Sequence, residues 1–245
     1  MRTAVIATLL GAAACGLRNV QGPPGEEQVV VQGVLNTQGS EQVLWIERTI
    51  PAGDSISFAF RPLESPPTRV EVRDSSGAVF SYQPDAANAA RYVASFAPVH
   101  GQRYELLVDV GSQVLRASTR VPAAVAIVDP AADTIVASRA SPLGLTWVGP
   151  IRPIRVTVSD TTGRELVSFP EWVTHDTTLA VGVASSLSAI GIWVLALDTV
   201  TARVAELPFV IGLDPAGFRD FRGNVSGGVG FFGAASGDHV IVRLQ

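Results

Sequence analysis

The chain has 245 residues, 47% of them apolar and 16% charged, with a formal net charge of −4. That balance belongs to folded protein rather than to a disordered segment. All 18 basic residues are arginine and no basic run occurs, which argues against a nucleic-acid groove.

The N-terminal stretch carries Arg2, an apolar run over Thr3–Ala14 and then the only cysteine, Cys15. A bilayer-spanning helix needs roughly 20 apolar residues, so this run reads as an export signal over residues 1–14. A single cysteine forms no internal disulfide, and Cys15 therefore calls for another explanation. One reading is cleavage after the A-x-A site Ala12-Ala13-Ala14, which leaves a stray thiol. The other is lipoprotein processing, because Gly11-Ala12-Ala13-Ala14-Cys15 resembles a bacterial lipobox, with Ala12 where leucine is usual. Lipidation of Cys15 is the expectation taken forward, with Gly16 after it implying the outer membrane by the familiar sorting scheme. The chain would then be held to the membrane through its N-terminal lipid. Residues 15–27 contain Gly22-Pro23-Pro24-Gly25 without apolar periodicity and read as a tether.

Beyond the tether the apolar period is two, the signature of strands. Runs at 29–35 and 42–48 are joined by turn-forming residues, and 51–68 reads as a long loop. Arg69-Val70-Glu71-Val72-Arg73 alternates polar and apolar side chains, and Asp74-Ser75-Ser76-Gly77 turns it back into 78–82. Runs at 91–96, 104–110 and 114–121 complete about seven strands, the spacing of a small β-sandwich. Pro122 to Asp133 reads as a boundary. Strands are then expected at 135–138, 144–148, 154–158, 164–169, 179–183, 190–197, 202–207 and 239–244, with no helix. The segment Arg155–Gly163 echoes Arg69–Gly77, which suggests a duplicated unit. An amphipathic strand before a D-x-x-G turn gives the same echo without duplication. The expected fold is all-β: two tandem β-sandwiches of immunoglobulin, fibronectin or transthyretin type. Their ranges are 28–122 and 123–245, the second completed by the glycine-rich C-terminal segment.

Chemistry-bearing motifs are sparse. Asp74-Ser-Ser-Gly and Asp160-Thr-Thr-Gly have one residue too many for aspartic-protease loops and suit hairpin turns. Ser236-Gly237-Asp238-His239 gathers three triad residue types, but neighbours on a strand point to opposite faces. His100, His175 and His239 stand apart, without metal-ligand spacing, and Asp129 with Asp133 offers too few oxygens for calcium. No metal or other cofactor is expected. Gly227-Gly228-Val229-Gly230 lacks the lysine of a phosphate loop and reads as close backbone approach or a bulge. Trp45, Trp147 and Trp193 are expected in the core. Trp172, between strands, and Phe218 and Phe221, among charges, are the candidates for an aromatic binding surface.

Several stretches together resemble an uncharacterised family of bacterial outer-membrane lipoproteins. Residues 29–35 and 42–49 are similar to its "VVEG-L" opening and "V-L-RT" strand, and 70–77 and 104–108 to its next landmarks. Asn224-Val-Ser-Gly-Gly-Val-Gly-Phe-Phe-Gly233 is similar to its late "NI-GG-GVFG" signature. The resemblance covers about residues 28–122 and 208–244 and supplies no catalytic residues. Members often accompany TonB-dependent receptors, which implies a receptor-accessory role by association. The expected function is a non-enzymatic binding or accessory module whose partner is such a receptor or a glycan. Two alternatives stay open: a periplasmic hydrolase with a site assembled from Asp160, His175 and Asp176, and a purely structural envelope protein.

Overall fold

The computed structural model describes residues 27–49, 61–149, 154–160, 172–174, 177–181, 187–206 and 223–245. Eight strands come first: β1 (Val29–Asn36), β2 (Glu41–Arg48), β3 (Arg69–Asp74), β4 (Val79–Ser81), β5 (Gln83–Asp85), β6 (Asn88–Ser95), β7 (Arg103–Val110) and β8 (Gln113–Arg120). Next are β9 (Ala126–Asp129), β10 (Thr134–Ala137), β11 (Leu143–Val148), β12 (Ile154–Ser159), β13 (Trp172–Thr174), β14 (Thr178–Val181) and β15 (Ala189–Leu197). A short helix, α1 (Thr199–Glu206), precedes the long last strand, β16 (Val229–Leu244).

The fold is all-β, as expected, and period-two alternation builds it. In β1, Val29, Val31 and Leu35 are buried while Val30, Gln32 and Val34 face the other side. One nine-stranded sheet runs in the order β13-β12-β15-β16-β1-β2-β6-β5, with β10 also beside β16. A four-stranded sheet, β4-β3-β7-β8, encloses the first core against β1, β2 and β6, where Leu44, Ile46, Val72, Leu106, Val108 and Leu115 meet. A three-stranded sheet, β14-β11-β9, encloses the second, where Leu145, Trp147 and Val181 pack on Val156, Ile190, Ile192 and Val194. Each fully buried side chain of this size contributes about 1.5–3 kcal/mol.

The two sandwiches share β16. Its first half pairs in parallel with β1, from Val30 opposite Val229 to Asn36 opposite Ala235. Its second half pairs antiparallel with β15, from Leu197 opposite Ala235 to Ala189 opposite Arg243. Phe232 and Ala234 belong to the first core, Val240, Val242 and Leu244 to the second. The glycine-rich stretch thus forms a strand of the first sandwich as well as leading into the second. Its glycines explain how. Gly230 has φ +115°, and a Cβ there would collide with the Val31 carbonyl; one on Gly233 would collide with the Thr201 hydroxyl.

Two expectations are corrected. The stretch read as a strand at 202–207 is α1 over its described part, because Asp198 caps it: the Asp198 carboxylate accepts a hydrogen bond from the Thr201 amide at 2.8 Å. Trp147 is 2% exposed and lies in the core as expected. Trp45 and Trp193, however, are half-buried on the outward face of the nine-stranded sheet, their strand parity opposing that of Leu44, Ile46, Ile192 and Val194. The echoing strands β3 and β12 fall in different sheets, β3 paired with β7 and β12 with β15.

Candidate functional site

Few of the sequence-derived candidates fall within the described residues. Cys15, Phe218 and Phe221 lie outside the described residues, as do His175 and Asp176 of the hydrolase alternative. Trp172 opens β13, opposite Val156. Asp160 follows β12, where its backbone carbonyl accepts a hydrogen bond from the Ser159 hydroxyl at 3.0 Å.

Other groups with chemical potential are bonded into the framework. Asp74 closes the β3–β4 hairpin: its carboxylate accepts hydrogen bonds from the Ser76 hydroxyl and from the Ser76 and Ala78 amides. The Ser76 hydroxyl, followed by those amides, holds its carboxyl below the usual aspartate range. Gly77, at φ +92°, completes this turn. Ser236 is fully buried and meets His100 Nδ1 at 3.0 Å, a nitrogen that also lies 3.3 Å from the Pro122 carbonyl. Asp238 accepts hydrogen bonds from the Ile127 and His239 amides, and the His239 ring stacks on Trp193 at 4.4 Å. Ser236, Asp238 and His239 therefore serve three separate contacts. Among the described residues no carboxylate orients the His100 ring, and the fully buried Ser236 packs against it without the arrangement of an activated nucleophile.

Asp198 is the most deeply placed carboxylate among the described residues, at 5% exposure. It accepts a hydrogen bond from the Thr119 hydroxyl at 2.6 Å as well as from Thr201, and its own amide donates to the Ala234 carbonyl at 2.9 Å. It thereby ties β8 of the first sandwich to α1 and β16. Among the described residues no group of three His, Cys, Asp or Glu side chains gathers in metal-binding geometry, and Asp129 and Asp133 form no such group.

One group of solvent-facing charges lies on the four-stranded sheet. Its register sets Arg73 opposite Glu105 and Glu105 opposite Ser118, and aligns Glu71, Leu107 and Arg116 across the next row. A depression of about 380 Å³ sits there. One wall is residues 224–226, fixed by reciprocal Arg116–Ser226 backbone hydrogen bonds at 3.0 and 2.8 Å and by Asn224 Nδ2 donating to the Ser118 carbonyl. Arg103 reaches Glu105 and Ser118, both at 3.3 Å. Among the described residues neither Arg73 nor Arg116 has a carboxylate partner. Sequence reading assigned residues 69–73 one exposed face but missed this cluster. Its members come from three strands and from the segment before β16, and only the strand register brings them together.

A second depression, of about 250 Å³, opens between Pro66, Pro67, Tyr82, Pro84 and Tyr92. Burial pushes the Tyr82 hydroxyl well above the ordinary tyrosine range, and that oxygen has no hydrogen-bond partner among the described residues.

A family model described as a domain of unknown function (DUF4249) matches residues 19–173, more than half of the chain. The chain belongs to that family. DUF4249 carries no assigned activity, in agreement with the resemblance read from the strands between residues 29 and 108; the Asn224–Gly233 signature lies beyond the matched range. No curated protein matches the chain significantly. Among solved structures, the chain is similar to the N-terminal Ig1-2 module of the Drosophila receptor protein tyrosine phosphatase DLAR. That match has 11% identity and a TM-score of 0.33 and covers 91% of this chain and 99% of that one. A two-fibronectin-type-III segment of chicken tenascin aligns at 11% identity and TM-score 0.22, covering 90% of this chain and 98% of that one. A tandem repeat from the extending region of a large adhesion protein aligns at 13% and 0.24, covering 90% and 50%. Superpositions at these TM-scores carry no argument about the role of the chain. The all-β assignment rests on its own strands.

Proposed function

We propose that this DUF4249 chain is a lipid-anchored module of the bacterial outer membrane that binds a partner rather than turning over a substrate, and that it serves a TonB-dependent receptor. The N-terminal signal, Cys15 and the Gly-Pro tether supply the anchor in this reading. The observation that carries the binding role is the division of its polar groups. Asp74, Asp198, Ser236, Asp238 and His100 are each engaged by framework hydrogen bonds, whereas Arg73 and Arg116, with no carboxylate partner among the described residues, stand on the outward face of the four-stranded sheet. Catalysis by side chains needs a nucleophile or acid within reach of an orienting partner and of substrate. A display surface needs only rigid strands behind exposed groups.

Two measurements test the reading. Metabolic labelling with radioactive palmitate should mark the chain, and Cys15→Ala should remove the label; label that survives the substitution rules out the anchor. Cross-linking in intact cells followed by affinity recovery should return a TonB-dependent receptor. Repeated recovery of the chain alone removes the accessory role.

A further inference from the structure

We infer that the depression on the four-stranded sheet is a binding site for an acidic saccharide, a sugar chain bearing carboxylate or phosphate groups. This rests on the binding-module reading above and gives it a ligand class. Its chemistry is mixed in a way that one ligand satisfies. Arg73 and Arg116 present guanidinium forks with no carboxylate partner among the described residues, and a planar fork matches an oxyanion with two parallel hydrogen bonds. Glu105 stands on the strand between them, and Glu71 lies beside Arg73 on β3, level with Arg116. Those carboxylates accept hydrogen bonds from sugar hydroxyls, donors that the side chains of an acidic peptide lack. Half-buried Leu107, level with Arg116 in the ladder, gives an apolar floor for the C–H face of a pyranose ring.

The site is built rather than fluid. Arg116 and Ser226 exchange two backbone hydrogen bonds, and the Ser226 hydroxyl donates to the Arg116 carbonyl at 3.1 Å. Asn224 spans the wall, donating to the Ser118 and Phe232 carbonyls and accepting from the Phe232 amide at 2.8–2.9 Å. Arg73 and Arg116 are separated by two strand spacings across the sheet and one side-chain repeat along it. That places their Cα atoms about 12 Å apart, and side chains of their length reach a common ligand over such a span. A depression of about 380 Å³ accommodates one or two sugar units rather than a folded partner.

Calorimetric titration of the full chain with a galacturonate hexamer, a maltose-series hexamer and a hexaglutamate peptide tests this. Saturable binding of the galacturonate hexamer is expected, weakened by raising sodium chloride as for any exposed ion pair. Arg73→Ala and Arg116→Ala should each weaken it about five-fold, the range of an exposed charge contact, and together about twenty-fold. Arg69→Ala, on the same face but paired with Asp109 outside the depression, should leave it unchanged. Circular dichroism verifies that each variant is folded. Equal binding of the neutral hexamer, equal or tighter binding of hexaglutamate, indifference to both arginine substitutions or no binding at all overturns the inference. If the last result coincides with recovery of a receptor by cross-linking, the accessory-module reading stands and only the saccharide site falls.

Discussion

Asp198→Ala is the substitution that most directly probes how the two sandwiches are joined. The wild-type carboxylate, 5% exposed, caps α1 through the Thr201 amide and accepts from the Thr119 hydroxyl at 2.6 Å. Losing an N-cap costs about 1 kcal/mol. Losing a hydrogen bond to a charged group costs about 1.5–3 kcal/mol, and the stranded Thr119 hydroxyl adds to this. Relief of the buried charge returns part of the sum, leaving a net loss of about 3 kcal/mol. For a chain of this size each kcal/mol moves Tm by about 2–4 °C, so a drop of about 6–12 °C is expected in a calorimetric scan. Asp198→Asn retains a capping oxygen and should lose about half as much. A double-mutant cycle with Thr119→Val should give a coupling of about 1.5–3 kcal/mol, because the two side chains share one bond. A Tm within 2 °C of wild type for Asp198→Ala, or a cycle that closes with no coupling, refutes the assignment of this carboxylate as the tie between the sandwiches.

Other expectations follow from the same framework. Ending the chain after Gly228 removes β16 from both cores, and near-UV circular dichroism should show tertiary structure lost in both sandwiches; a surviving cooperative transition contradicts the shared-strand topology. Gly230→Ala forces a Cβ into the Val31 carbonyl at φ +115° and should lower Tm by more than 10 °C, against no change for Gly39→Ala, where the space is open. Burial raises the hydroxyl pKa of Tyr82, and less deeply those of Tyr92 and Tyr104, which are all the tyrosines in the chain. The contribution of these groups to stability is full below the unfolded tyrosine value of about 10, and is lost as pH rises from there toward the folded values. Absorbance at the tyrosinate band should therefore stay low at pH 10 and rise together with unfolding; smooth ionisation of all three rings near pH 10 in the folded chain contradicts their burial.

Where the physics is local, the sequence was readable. Alternation along residues 69–73 gave β3 its two faces, and Asp74 with Gly77 gave the hairpin turn, because the carboxylate and the positive φ each act within four residues. The glycines at 227–230 were readable as close backbone approach, but not which backbone they approach. That partner is β1, about 200 residues earlier in the chain, and parallel pairing over such a distance leaves no short-range pattern. The stretch 202–207 reads as a strand, and the Asp198 cap together with packing on β16 makes its described part, to Glu206, helix. Alternation also left undecided which parity of β2 and β15 faces the core, so Trp45 and Trp193 were placed on the wrong side. The arginine-lined depression was hidden for a related reason: residues 73, 103, 116 and 224 become neighbours only through register.

If the proposed anchored DUF4249 chain presents its four-stranded sheet to an outer-membrane partner, that contact can be trapped in cells. Photo-cross-linking from positions 73 and 116 in living cells, followed by mass spectrometry of the adducts, tests it most directly. Adducts with envelope components are expected, a TonB-dependent receptor among the proteins, on a chain whose N-terminal peptide begins at an acylated Cys15. An unacylated chain recovered free of adducts, in the soluble fraction, contradicts it.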